Sequence, residues 1–197
     1  MTLAYTLNLA LTMLVFVPVY ILLRWLYRKK RPTPAKQISR EVLLALFAVF
    51  LAAFATQVFS PGAGFTPATL FSSFWHRLQT GTDINLIPFK SNWQFVTSNN
   101  WEHAFLNLAG NVLIFSPIGF FLPLLWQRWQ RFYKVALCGL AFTCFIEFSQ
   151  LFIARYTDVD DIILNVLGTM LGYGVYALLR HMFPSMATLA SQKHIKS

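Results

Sequence analysis

The stretch FIEFSQLFIARYTDVDDIILN, residues 145–165, decides how this chain is read. It carries Glu147, Asp158, Asp160 and Asp161, four of the chain's seven acidic residues, and long apolar runs flank it on both sides. A carboxylate inside such a run is costly if the run sits in lipid, on the order of 2.5–3.5 kcal/mol near the bilayer centre. The reading therefore turns on whether the flanking runs are membrane spans.

Composition says that they are. Of 197 residues, 56% are hydrophobic and 12% are charged, with a mean hydropathy of +0.53; soluble domains carry roughly 25% charged residues. A span needs about 20 mostly apolar residues, and five segments qualify: 3–27, 41–59, 104–126, 133–153 and 162–181. The first is too long for a secretory signal and its basic residues follow the apolar run, so it reads as a retained anchor. The expected fold is an all-α integral membrane protein, a bundle of about five transmembrane helices with a short amphipathic helix on its outer side. One membrane domain is expected over 1–197: two spans in 1–61, an outward loop in 62–103, a three-span core in 104–181 and a tail in 182–197. Cys138 and Cys144 lie six apart in one apolar run, on different helix faces, which excludes a disulfide framework.

The basic residues orient the chain. Arg24, Arg28, Lys29, Lys30, Arg31, Lys36 and Arg40 surround the first connection; Arg128, Arg131 and Lys134 lie at the third; Arg180, Lys193 and Lys196 follow the last span. Five spans put all of these on one side and leave Arg77, Lys90 and Arg155 on the other. The positive-inside rule makes the crowded side cytoplasmic, with the N-terminus outside and the C-terminus inside. The net charge of +9 is thereby accounted for by topology and anionic lipid, with no nucleic-acid partner.

The long outward connection contains TPATLFSSFWHRLQTG, residues 66–81. Thr66 caps a helix that Pro67 opens, and Leu70, Phe71, Phe74, Trp75 and Leu78 recur on one face of it. Too short to span, it reads as an amphipathic helix at the interface. Trp93, Phe95 and Trp101 suit the headgroup belt or, alternatively, a ligand platform.

Polar residues of three spans then meet at one depth. His103, Asn107 and Asn111 repeat every four residues, Glu147 and Gln150 are three apart, and Asp161 and Asn165 are four apart. Asn107, Glu147 and Asn165 each fall about 5–10 Å below the outer ends of their helices. Singly, each Asn or Gln reads as interhelical glue worth about 0.6 kcal/mol. Glu147 reads as functional, because packing needs no carboxylate there. Asp158 caps the fifth span, Asp161 lies in its first turn, and Arg155 pairs with one or two of the acids. Asp160 is turned about 100° from Asp161 on a helix and is expected toward solvent. Gly168 and Gly172 form a GxxxG, a close-packing motif. Pro117 and Pro123 are expected to kink the third span and open a cavity under the Asn stripe. No P-loop, GxSxG, HExxH or paired CxxC is present.

These features resemble the VanZ-like family of bacterial membrane proteins. The resemblance rests on DINLIPF (83–89), NLAGNVLIFSPIGFFLPLL (107–125) and FIEFSQLFIARYTDVDDIILNVLGTMLGY (145–173), in the family's order. It implies a bacterial cell membrane location and a role associated with resistance to the lipoglycopeptide teicoplanin. The family's motif positions fall on Asn85, Pro88, Phe89, Asn107, Asn111, Glu147, Gln150, Arg155, Asp158, Asp160, Asp161, Asn165 and Gly168.

The expected function is binding. An outward-facing acidic pocket, built from Asn85, His103, Asn107, Asn111, Glu147, Gln150, Arg155, Asp158, Asp161 and Asn165, takes the head of an amphiphile whose tail stays in lipid. The partners expected are membrane lipids, a lipoglycopeptide or a lipid-linked wall precursor. An acidic lining favours a cationic or hydroxyl-rich head, or a phosphate bridged by a metal. The alternative is an enzyme acting on an envelope lipid or lipid-linked glycan, with Glu147 as general acid or base and His103 with the aspartates around a divalent metal. The spacing matches no metal signature, so no metal site and no cofactor are assigned.

Overall fold

The computed structural model describes residues 2–30, 38–60, 66–98 and 101–184, with residues 2–8, 11, 30, 95 and 103 described in backbone only. Arg31, Lys36, Lys193 and Lys196 of the orienting set, most of the expected tail, and the side chain of His103 lie outside the described residues.

Apolar composition without strand alternation makes helices here, since lipid offers no partner for an unpaired backbone group. The described chain forms α1 (Thr2–Lys30), α2 (Ile38–Val58), α3 (Leu70–Thr80), α4 (Lys90–Thr97), α5 (Trp101–Leu125), α6 (Phe132–Phe152) and α7 (Val159–Met182). Two-residue strands β1 (Ile84–Asn85) and β2 (Thr157–Asp158) pair in parallel, Ile84 with Thr157 and Asn85 with Asp158. Helices α2, α6 and α7, together with Ala104–Leu125 of α5, are long and apolar enough to cross a membrane. The first expected span falls within α1, a continuous helix of 29 residues. The protein is thus an all-α membrane protein.

The packing centre joins α5 to α7, and a Cβ on Gly168 or Gly172 would overlap the carbonyl oxygens of Val112 and Ser116 on α5. The GxxxG of α7 is therefore a backbone contact face. Phe54 of α2, Phe115 and Ile118 of α5 and Ile146 of α6 form a buried apolar cluster beside it. Helix α1 packs on α2, where Arg24 holds Glu41 through two bonds of 2.6 Å.

Pro117 and Pro123 sit inside α5 without ending it. Pro117 has no N–H for the carbonyl of Leu113; the Ser116 hydroxyl donates to that oxygen instead, at 2.9 Å. At the opposite turn of the bundle Arg40 donates to Leu125 O at 3.3 Å, supplying a donor for a helix C-terminal carbonyl. The polar groups gather at the other end, where α2 and α6 finish, α5 and α7 start, and α3, α4 and the strand pair close over them. This is the polar end of the bundle.

Candidate functional site

The site begins with the turn between α6 and α7. Ala154 adopts a left-handed backbone (φ 55°) after α6, and the chain then extends as β2. Asp158 caps α7, its Oδ1 accepting from Asp160 N at 2.9 Å. The same oxygen accepts from Asn85 Nδ2 at 2.8 Å. One carboxylate thus joins the start of α7 to β1, more than seventy residues earlier. Arg77 of α3 braces the junction, pairing with Asp83 at 2.9 Å and donating to the carbonyl of Arg155. Asp83 and Phe89 also take left-handed backbones, φ 58° and 64°. Such conformations cost about 1–3 kcal/mol each and persist only where surrounding structure holds them.

Behind this clasp lies Glu147, 4% exposed. Five residues before the end of α6, it stands about 7–8 Å below the helix terminus. Its Oε2 accepts from Asp158 N at 3.0 Å. Gln150, with its amide nitrogen turned toward the oxygens it faces, donates to Tyr156 O at 2.9 Å and to Glu147 Oε2 at 3.3 Å. Oε1 has no hydrogen-bond donor among the described residues. Across the gap, Asp161 accepts from Asn111 Nδ2 at 2.6 Å, and Asn111 and Asn107 meet at 3.4 Å. Asn165, one turn deeper on α7, donates to Thr143 Oγ1 at 2.9 Å.

Two cavities adjoin here, with Gln150, Arg155 and Asp161 in the walls of both. The wider, about 450 Å³, is finished by Ser91, Gln94, Asn107, Tyr156 and Asp158. The narrower, about 210 Å³, reaches between α2, α5, α6 and α7 to Gln57, Asn111, Glu147 and Asn165, with Ile114, Phe115 and Ile146 as apolar wall. Every α5 residue in these walls precedes Pro117.

Nine of the ten residues expected at the site have described side chains, and eight of them line one cavity or the other. Asn85 does not: it is buried under the strand pair and holds Asp158. Two relationships expected from sequence are corrected. Arg155 makes no ion pair with an acid among the described residues; its guanidinium donates to the backbone carbonyls of Gln57 and Ser60, at 2.9 and 3.4 Å. The turn places it across the end of α2, where free carbonyls attract it. Asp160 does not face solvent but is 1% exposed. It accepts from the N–H groups of Phe89 and Asn92 and from Asn92 Nδ2, serving as the anion at the N-terminus of α4. A helix that arrives from distant sequence fills the side that an isolated α7 would leave to water.

Sequence reasoning missed Gln57, Ser91, Asn92, Gln94 and Tyr156, and left Arg77 as one of three outer basic residues. Gln57 had a signal, being the one amide in the apolar run of α2. The others sit on the short polar helix α4 or, for Tyr156, in the turn after α6, where nothing marks one residue over its neighbour. Among the described residues, no group of three His, Cys, Asp or Glu converges to hold a metal ion.

Neither a curated protein nor a solved structure matches the chain. The model of the VanZ/LLP1 family matches residues 64–180, which include both strands of the clasp, Glu147, and every cavity-lining residue except those contributed by α2. With more than half of its length matched, the chain belongs to the VanZ/LLP1 family.

Proposed function

We propose that the polar end faces outward from a bacterial plasma membrane and that its joined cavities bind the head of an amphiphilic envelope molecule whose tail remains in lipid. The observation that carries this reading is the pair of polar-lined cavities set between apolar spans, at the depth of the first helical turns. A soluble ligand would need no such depth, whereas a headgroup drawn down from the interface meets it directly. Apolar side chains stand exposed beside the cavities: Phe71 and Trp75 on α3, and Leu86, Ile87 and Phe89 in the loop before α4. They suit contact with acyl chains. The distribution of Lys and Arg supports the orientation, with the N-terminus outside and the C-terminus cytoplasmic. Lipids, a lipid-linked wall precursor and a lipoglycopeptide such as teicoplanin share this amphiphilic plan, and teicoplanin resistance is the role that the family resemblance attaches to it.

A second reading rests on Glu147 alone. One oxygen is held by Asp158 and Gln150, the other has no donor among the described residues, and the residue lines the narrower cavity, the arrangement of a positioned general acid or base. One experiment tests both. The purified protein is incubated with an envelope lipid extract, and the bound and free fractions are weighed by mass spectrometry. Retention of an unaltered amphiphile, lost in Glu147→Gln, supports binding. New masses that depend on Glu147 support catalysis. If nothing is retained or altered, both readings fail.

A further inference from the structure

A residue in the wall of the narrower cavity carries an unanswered acceptor. Asn165 is 3% exposed, and its Oδ1 has no hydrogen-bond partner among the described residues, although its Nδ2 is satisfied by Thr143. A buried amide oxygen without a donor bears its full desolvation cost, and native proteins keep few of them. This one lines the same wall as Glu147, whose Oε1 also has no donor among the described residues, and Asp161. The neighbouring cation Arg155 donates from Nη1 to the carbonyls of Gln57 and Ser60 and makes no hydrogen bond or ion pair with either acid or with Asn165 among the described residues. What the cavity offers is acceptors in excess of donors, with two carboxylates among them.

We infer that this cavity takes a primary ammonium group, carried on a short arm of the amphiphile's head. An alkylammonium brings three N–H donors and no acceptor, which is the complement of Glu147, Asp161 and Asn165 Oδ1. A trimethylated ammonium has the charge but no N–H, and would leave Asn165 Oδ1 unpaired. A hydroxyl brings one donor and lone pairs that would face two carboxylates. A volume of about 210 Å³ holds an ammonium on a two-carbon arm with a few waters, each of which takes about 30 Å³. The remainder of the head then lies in the wider cavity, where Arg155, Ser91 and Gln94 stand with Asp158 and Asp161. The inference rests on the amphiphile reading above and names the head that the site selects.

The test is a headgroup series on the purified full chain in mild detergent. Phosphatidylethanolamine, phosphatidylcholine and phosphatidylglycerol of identical acyl chains are titrated, with glycerophosphoethanolamine as the tail-free probe. The ethanolamine lipid is expected to bind at least about tenfold more tightly than the other two, a ratio that one charge-assisted hydrogen bond sustains. The tail-free probe is expected to bind more weakly than the lipid. Glu147→Gln, or Asp161→Asn should that variant fail to insert, is expected to collapse the ratio toward one. Equal affinity for the three lipids overturns the ammonium assignment and leaves amphiphile binding standing. Tail-free probe binding as tight as the lipid's reassigns the ammonium to a soluble amine and overturns the lipid source. Binding of no member overturns both readings.

Discussion

Glu147 on α6 accepts the backbone N–H of Asp158, the residue that caps α7, at 3.0 Å. One carboxylate oxygen thereby fixes the sharp turn between two spans while the other has no donor among the described residues. The two tasks separate by substitution.

Glu147→Gln retains an oxygen to accept from Asp158 and is expected to keep the fold, with stability in detergent changed by less than about 1 kcal/mol. Its ligand retention is expected to be lost. Glu147→Ala leaves the buried Asp158 N–H without a partner and is expected to cost about 1–3 kcal/mol in addition. Thermal unfolding of both variants beside ligand retention checks the pair; full retention in Glu147→Gln would reduce Glu147 to a structural residue.

Asp160→Asn is expected to be destabilising, by about 1–3 kcal/mol, because an amide nitrogen would face the N–H groups that the carboxylate now receives. The sequence reading expects tolerance at this position. Unfolding midpoints of Asp160→Asn against an exposed control such as Gln94→Asn decide between the two.

Gly172→Val places a branched side chain against the Ser116 carbonyl on α5. Overpacking of this kind costs about 1–3 kcal/mol or more. The expected result is loss of folded protein on size exclusion, whereas Gly174→Val, where a Cβ meets open space, is expected to behave as wild type.

Thr82 and Gln127 are exposed at opposite ends of the bundle. With Cys138 and Cys144 replaced, a cysteine at Thr82 is expected to react with an impermeant thiol reagent on intact cells, and one at Gln127 only after permeabilisation. Ser91 and Thr157 share the polar end but are buried, so they make poor reporters. The reverse labelling pattern would invert the orientation.

Helix α3 divides into two faces. Phe74 stacks on Phe152 at the end of α6, ring centroids 4.2 Å apart, while Phe71 and Trp75 are 70% and 59% exposed. Phe74→Ala is expected to loosen α3 and cost about 3–5 kcal/mol at most, less where the site is only half-buried. Trp75→Asp is expected to leave the unfolding midpoint unchanged and weaken retention of acyl-chain ligands, measured by the same lipid titration.

Sequence alone specifies the membrane class, four of the spans, the capping of α7 by Asp158 and the approach of Glu147 and Asn165 near one depth. Each follows from local rules: hydropathy over about 20 residues, cap chemistry, and 1.5 Å of rise per residue. The close packing of Gly168 and Gly172 was legible for the same reason, since a small-residue face on a span has few other uses. The strand pair, the burial of Asp160 and the turning of Arg155 onto α2 were decided by tertiary structure alone. In each, the partner lies more than sixty residues away, and a local pattern specifies that an acid or an arginine needs a partner without specifying which. Asp160 looks free on an isolated α7 because the N–H groups it serves belong to α4, brought there by the Ile84–Thr157 pairing. The unpaired oxygen of Asn165 is likewise invisible in sequence, where an amide on a span always reads as satisfied by some neighbour.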